Sequence, residues 1–141
     1  MYKIKIYTIG KTKDLWLIEA LAEYEKRLSS AFIFEWNLFK KMEELTAKLA
    51  KEPYYICLDL QGKPLTSEEF SHFLFKELSD RGCQITFVIG GDVGIDPKTR
   101  QGAGHLIQLS KMTLTHQMVR LFLLEQIYRA SQIDKGTSYH K

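Results

Sequence analysis

Short apolar runs alternate with amphipathic segments along the whole chain of 141 residues, and this alternation restricts the possible folds more than any other feature. In Phe32–Phe39 every second residue is aromatic or aliphatic, which is typical of a strand, whereas Leu15–Leu28 repeats its apolar residues at helical spacing. The predicted strands are Lys3–Ile9, Phe32–Phe39, Tyr54–Leu60, Ile85–Ile89 and Leu106–Leu109. Strands that alternate with helices predict an α/β domain around a mostly parallel sheet. A chain of this length fits one domain, residues 1–141.

Capping and turn signals set the expected boundaries of the helices. Thr66 and Glu69 have the spacing of a capping box, and Asp96 precedes a proline suited to the first helical position. The sequence Gln61-Gly62-Lys63-Pro64 predicts a turn after the third strand. The longest predicted helix, Thr115–Ser131, is followed by a polar tail.

Three of the predicted strands end in turn-rich loops, at Leu58–Gly62, Gly90–Gly94 and Leu109–Thr113. Parallel strands place their carboxyl ends at one edge of the sheet, which is where such sheets bind ligands. The glycines of Gly90–Gly94 would let backbone approach a ligand closely, although they could equally form a tight turn. These three loops are therefore the candidate binding site.

The chain lacks the sequence motifs of several common classes of enzyme site. It has no G-x-G-x-x-G sequence, no phosphate loop and no G-x-S-x-G elbow. The four histidines, His72, His105, His116 and His140, have neither partner cysteines nor H-E-x-x-H spacing, so no metal site is expected. His116 and Arg120 lie four residues apart on one helix face, where they could orient a substrate or a partner helix, or form a solvated surface.

Composition and patterning predict a cytoplasmic protein. No segment approaches the roughly 18 uncharged apolar residues of a membrane span, and Met1–Ile6 alternates charged with apolar residues, unlike a signal peptide. Cys57 and Cys83 adjoin apolar runs and are predicted to be buried thiols. The net charge is +3, with basic ends and an acidic middle, which is compatible with a polyanionic partner or with ordinary surface charge.

Motifs spread over nearly the full chain together resemble one family. They are Ile9-Gly10-Lys11, Glu23–Leu28 (EYEKRL), Tyr55–Lys63 (YICLDLQGK), Thr86–Gly94 (TFVIGGDVG), Leu109–Leu114 (LSKMTL) with His116, Glu125–Ala130 (EQIYRA) and the terminal Tyr139-His140-Lys141. In combination they resemble the bacterial RlmH family, the pseudouridine N3-methyltransferases of large-subunit ribosomal RNA in the SPOUT superfamily. One departure is Thr115, which stands where the family usually has proline.

The resemblance implies a fold and a cofactor. The expected fold is the SPOUT-type α/β knot, a parallel-rich sheet with helices on both faces and a C-terminal trefoil knot, although true knots are rare. The expected cofactor is S-adenosylmethionine (SAM). Its implied contacts are Leu58, Gly90, Leu109, Ser110, Lys111, Met112, Thr113 and Leu114. They coincide with the three loops at the predicted strand ends.

The resemblance also implies a reaction, the methylation of N3 of a pseudouridine in helix 69 of 23S ribosomal RNA. The implied catalytic residues are Tyr139, His140 and Lys141, and the candidate RNA contacts are Arg120, Arg129 and Lys135. The expected assembly is a homodimer in which each active site uses the tail of the partner. Because a net charge of +3 gives weak binding to naked RNA, assembled ribosomes are the expected substrate. The alternatives are a SPOUT enzyme acting on transfer RNA and a non-catalytic ribosome-binding module.

Overall fold

Five parallel strands form one sheet in the computed structural model, which describes residues 1–141. In chain order the elements are β1 (Tyr2–Ile9), α1 (Leu15–Leu28), β2 (Phe32–Phe39), α2 (Met42–Leu49), β3 (Ile56–Pro64), α3 (Ser67–Asp80), β4 (Gln84–Ile89), α4 (Pro97–Gly102), β5 (His105–Gln108) and α5 (His116–Lys135). The strand order is β2-β1-β4-β3-β5, and every neighbouring pair is parallel. The prediction of an α/β fold with a parallel sheet is confirmed.

Helices cover both faces of the sheet, as predicted. On one face Leu17 of α1, Leu74 of α3 and Leu124 of α5 are fully buried in the larger apolar core, which also contains Ile4 and Ile6 of β1. The opposite face carries a smaller core that contains Leu45 and Leu49 of α2, together with Ile95 just before α4. Because side chains alternate across a strand, each central strand contributes to both cores. The trefoil knot implied by the resemblance stays a prediction.

The predicted turn at residues 61–64 is wrong, because these residues continue β3 to Pro64. Strand β3 contacts β5 on both sides of an irregularity, with Leu58 and Lys63 both opposite Ile107. A Cβ on Gly62 would lie 2.6 Å from the Ile107 backbone. Gly62 is therefore needed because the backbones of β3 and β5 approach each other closely at this point. Residues 61–64 pair with residues far away in the sequence, so the local sequence does not reveal that they belong to a strand.

Two further expectations need correction. Helix α5 extends to Lys135, four residues beyond the predicted end at Ser131, and Gly136 ends it with a left-handed φ of 72°. Cys57 is buried as predicted, but Cys83 is exposed and also has a positive φ, 64°, because it lies in the turn between α3 and β4. None of the helices, α5 included, combines the length and apolar character needed to cross a membrane.

A polar group is enclosed on the face of the sheet that α2 covers. The Glu52 carboxylate accepts hydrogen bonds from Lys5 Nζ and Tyr7 Oη, both at 2.9 Å. Burial raises the pKa of Glu52, but the hydrogen bonds from Lys5 and Tyr7 outweigh it and leave the pKa below its ordinary value. The ionised carboxylate therefore ties the loop after α2 to strand β1.

Candidate active site

A cavity of about 410 Å³ opens at the carboxyl edge of the sheet, where β3, β4 and β5 end. The three predicted loops all contribute to it, together with the first turn of α5, so the prediction that these strand ends meet is confirmed. The lining residues are Leu58, Asp59, Leu60, Gln61, Ile89, Gly90, Gly91, Asp92, Val93, Gly94, Ile95, Arg100, Gln108, Leu109, Ser110, Met112, Thr113, Leu114, His116 and Val119. Its size lies within the range of small-molecule sites.

The implied cofactor contacts lie in this cavity with one exception. The residues that line it are Leu58, Gly90, Leu109, Ser110, Met112, Thr113 and Leu114. Lys111 belongs to the same loop but is exposed and is not part of the lining. Their role in binding a cofactor stays a prediction.

The glycine loop after β4 is a tight turn that shapes one wall of the cavity. Gly94 N donates to Gly91 O at 2.9 Å, and Gly94 has a φ of +78°. A Cβ on Gly90 would lie 2.6 Å from the Gly94 carbonyl carbon and 2.9 Å from Ile95 N. Gly90 is therefore required by the packing of the loop against its own backbone, and a side chain there would deform the cavity wall.

The loop from Leu109 to Leu114 is fixed at its end by the start of α5. Thr115 is the N-cap of α5, and its side chain accepts a hydrogen bond from Met118 N at 3.2 Å. The φ of Thr115 is −64°, close to the value that a proline ring imposes. Thr115 thus has a φ that proline could also adopt, and it adds a capping hydrogen bond that proline could not supply.

Arg100 and Asp59 form a charged pair at the rim of the cavity that the sequence does not predict. Arg100 of α4 donates to Gln61 Oε1 at 2.8 Å, and its Nε lies 3.6 Å from Asp59 Oδ2. Gln61 and Asp59 lie on the outer part of β3, whereas Arg100 comes from a helix nearly 40 residues later. Only the fold brings them together, and the sequence offers no local signal for this contact.

Arg120 is a structural residue, so its predicted role as an RNA contact is wrong for this chain. Its side chain is fully buried. The guanidinium donates to Ile9 O and Gly10 O, both at 2.8 Å, and to Thr12 Oγ1 at 2.9 Å. Burial lowers the pKa of Arg120 to about 10, so the group stays charged at neutral pH. Arg120 joins α5 to the end of β1 and has no surface to offer RNA.

His116 lies one turn before Arg120, on the wall of the cavity. Both ring nitrogens are buried without a hydrogen-bond partner, and Nδ1 is 3.6 Å from the Asp92 carboxylate. Burial lowers the pKa of His116 below its ordinary value, and the nearby charge of Arg120 lowers it further. The ring is therefore uncharged at neutral pH.

The terminal residues with predicted catalytic roles lie away from the cavity of their own chain. Tyr139 Oη donates to Glu125 at 2.9 Å, and His140 contacts both Arg129 and Glu68. Arg129 is one of the predicted RNA contacts, and Val119, on the cavity wall, precedes it by ten helical residues. This separation corresponds to about 15 Å along α5. Lys135, a predicted RNA contact, and Lys141, a predicted catalytic residue, are both exposed.

Hydrogen bonding sets the protonation of the tail. Arg129 Nη1 lies 3.0 Å from His140 Nδ1, and because a guanidinium can only donate, Nδ1 must be the acceptor. The other ring nitrogen then carries the proton and faces Glu68. Burial and the hydrogen bond to Glu125 raise the pKa of Tyr139 to about 12. The tail therefore presents an imidazole held between Arg129 and Glu68, and a protonated phenol.

Comparison with known proteins identifies the family of this chain. A family model described as "Predicted SPOUT methyltransferase" matches residues 2–140. The chain belongs to the SPOUT methyltransferase family. Among its SPOUT relatives is the ribosomal RNA large subunit methyltransferase H of Protochlamydia amoebophila, which is 44% identical over 141 residues that cover 100% of both chains. The resemblance found in the sequence is confirmed.

Solved structures share the fold of this SPOUT chain. A probable methyltransferase from Bordetella pertussis Tohama I gives a TM-score of 0.58 at 10% identity, over 92% of this chain and 96% of that one. A protein from Legionella pneumophila, described as a methyltransferase in complex with the cofactor SAM, gives 0.51 at 9% identity, over 92% of this chain and 66% of that one. At these identities the likeness concerns the fold alone. The SPOUT chain described here contains no group of three or more His, Cys, Asp or Glu side chains that could hold a metal ion.

Proposed function

We propose that this chain is a SAM-dependent methyltransferase that modifies N3 of a pseudouridine in helix 69 of 23S ribosomal RNA, on assembled ribosomes in the cytoplasm. The observation that carries the proposal is the cavity at the carboxyl edge of the sheet, which gathers seven of the eight implied cofactor contacts from strand β3 and the loops after β4 and β5. The name of the Protochlamydia relative, which matches along the whole chain, supports ribosomal RNA as the substrate.

The cavity suits a cofactor of the size and chemistry of SAM. Leu58 and Leu109 supply apolar walls, while backbone groups of Gly90, Ser110, Met112, Thr113 and Leu114 are placed to supply hydrogen bonds. When bound, SAM supplies an electrophilic methyl group on its sulfonium sulfur. The protein's part is to hold the acceptor nitrogen in line with that methyl group and to exclude water.

The tail completes the proposed site from a second copy of the chain. In its own chain it contacts Glu125 and Arg129, which lie about 9 Å and about 15 Å along α5 from Val119, so one copy does not unite the cavity with Tyr139, His140 and Lys141. Gln117 bonds to the backbones of Lys11 and Lys13 and so places the start of α1 beside the start of α5.

The region where the start of α1 meets the start of α5 carries an exposed apolar surface, through which two copies of the chain would pair. Leu15, Trp16 and Ile18 are exposed near the start of α1, and Phe122 is exposed on α5. Exposed apolar side chains of this kind mark interaction surfaces. A dimer that pairs these surfaces about a two-fold axis would repeat every contact on both chains.

Each of the three tail residues has a separate role in the proposed reaction. The N3 imide of pseudouridine must lose a proton as the new N–C bond forms, and His140 Nδ1 is the proposed acceptor once the base displaces Arg129 from it. Lys141 stabilises the developing negative charge on the base. Tyr139 remains a hydrogen-bond donor, because its raised pKa keeps it protonated.

Calorimetry and methyl-transfer assays test the cofactor and the substrate. We expect one SAM site per chain, and transfer to ribosomes that carry pseudouridine but not to matched ribosomes with uridine. Absence of SAM binding would favour the non-catalytic ribosome-binding module. Methylation of transfer RNA would favour the other SPOUT enzyme, and equal rates on ribosomes and deproteinised RNA would contradict recognition of the assembled subunit.

Mixed dimers test the shared site. One chain lacks residues 139–141, and the other carries Gly90→Ala, which damages its cavity. Each variant alone should be inactive, whereas co-expression should restore activity, because the intact cavity of the first chain meets the intact tail of the second. If the tail acted within its own chain, the mixture would stay inactive. A sedimentation profile of a monomer at micromolar concentration would also contradict the dimer.

A further inference from the structure

Three tyrosines and two arginines form a continuous surface cluster beside the tail, which we call the tyrosine–arginine cluster: Tyr24, Arg27, Tyr128, Arg129 and Tyr139. The ring centroids of Tyr24 and Tyr128 are 5.9 Å apart, and those of Tyr128 and Tyr139 are 4.9 Å apart. The Arg27 guanidinium lies over both Tyr24 and Tyr128, at 5.2 Å and 5.5 Å from their centroids. Arg129 lies over Tyr139 at 4.9 Å. The cluster thus links α1, α5 and the tail.

The outer member of this cluster is open to solvent. The Arg27 side chain is 42% exposed, and its Nε donates to Glu23 at 2.8 Å. That bond uses one edge of the guanidinium and leaves its Nη groups for another acceptor. The three tyrosines are half-buried, and Lys26, which precedes Arg27 in α1, is exposed. The cluster therefore combines exposed planar groups with positive charge.

Planar arginine and tyrosine side chains are what proteins use to stack unpaired RNA bases. A flat base stacks on either side chain, while the adjacent phosphate is attracted by the nearby cations. Packing of the tail explains the contact of Tyr139 with Tyr128, whereas Arg27 lies over Tyr24 and Tyr128 at the exposed end of the cluster. Arg27 therefore holds an exposed guanidinium, fixed over two rings, that is available to a partner outside the chain.

We propose that the tyrosine–arginine cluster binds an unpaired ribosomal RNA nucleotide next to the one that is methylated, with Arg27 and Tyr24 as the residues that hold it. This inference rests on the proposed function, because the tail beside the cluster is the part assigned to substrate chemistry. Arg27 and Tyr24 then contribute to substrate binding and not to the transfer step. The cofactor site is separate from them.

The test compares Arg27→Ala with Arg81→Ala. Arg81 is a matched control because its guanidinium also lies over a tyrosine ring, 3.6 Å from the centroid of Tyr54. It also pairs with a glutamate one helical turn away and is similarly exposed, at 44%. Arg81 lies at the end of α3, away from the tail. Loss of a generic cation–π contact would affect both variants, whereas loss of RNA contact would affect Arg27→Ala alone.

We expect Arg27→Ala to raise the KM for ribosomes about tenfold, the effect of losing one stacked base, with little change in kcat or in SAM affinity. Tyr24→Leu should act likewise, and Arg27→Lys should be intermediate because it keeps the charge but loses the plane. Arg81→Ala should match the wild-type protein. Ribosome binding by co-sedimentation provides a second measurement that does not depend on turnover.

The outcomes separate this inference from the proposed function. If wild-type protein methylates ribosomes and Arg27→Ala keeps its KM within twofold, the nucleotide-binding role of the cluster is wrong while the function stands. An equal loss in Arg81→Ala would also overturn that role. If wild-type protein binds ribosomes without methylating them, and Arg27→Ala weakens that binding, the cluster is supported and the proposed function fails.

Discussion

Replacing Arg120 with methionine should destabilise the protein by about 4 kcal/mol. The substitution keeps an apolar stem of similar length but removes the donors to Ile9 O, Gly10 O and Thr12 Oγ1. Two backbone carbonyls would then lack partners, and each such loss costs about 1–3 kcal/mol. Arg120→Lys should lose about half as much, because an ammonium group keeps the charge but cannot reach all three acceptors at once.

Urea unfolding at fixed protein concentration measures this effect. With an m-value of about 2 kcal/mol/M, the midpoint of Arg120→Met should fall by about 2 M. Lys135→Met is the control on the same helix, because Lys135 is exposed, and it should shift stability by less than about 0.5 kcal/mol. A loss below about 1 kcal/mol in Arg120→Met, together with a raised KM for ribosomes, would refute the structural role and restore Arg120 as an RNA contact.

Three other substitutions probe the cavity and the core. Gly90→Ala should abolish SAM binding in calorimetry because its Cβ would collide with Gly94, whereas Val93→Ala, in the exposed part of the same loop, should bind normally. Thr115→Ala should cost about 1 kcal/mol in thermal unfolding through loss of the α5 cap; an unchanged melting temperature would argue against that cap. Because the pKa of Glu52 is lowered in the folded protein, its ionised carboxylate stabilises the fold above about pH 4.5, and this stabilisation is lost as the pH falls. The free energy of unfolding of Glu52→Gln should therefore depend less on pH in the acid range than that of the wild-type protein.

Local sequence was sufficient to predict the elements that rely on periodicity. Phe32–Phe39 was predicted with its observed bounds, because alternation along a strand needs no knowledge of its partner. The meeting of three loops followed from the parallel sheet alone. The turn at residues 61–64 failed because pairing with β5, more than 40 residues later, overrides the local preference of Gly62 and Pro64.

The error at Arg120 could have been avoided. Arg120, Leu123, Leu124 and Ile127 follow the spacing of a single buried helix face, so the pattern already placed the arginine among apolar neighbours. The charge of Arg120 suggests a surface position, whereas its spacing on the helix indicates burial. The location of the tail against Glu125 and Glu68, in contrast, depends on tertiary contacts that the spacing of residues does not encode.

The order of the strands in the sheet has a consequence for how the chain folds as it is synthesised. Strand β4 lies at the centre and pairs on one side with β1, more than 80 residues earlier, and on the other with β3. Until residues 84–89 have been made, β3 has no neighbour, and only β1 and β2 can pair. Contacts this distant in sequence slow folding, because a long loop must close before they form. An N-terminal fragment that stops before β4 would therefore expose the apolar side chains of an unpaired strand, a surface prone to aggregation.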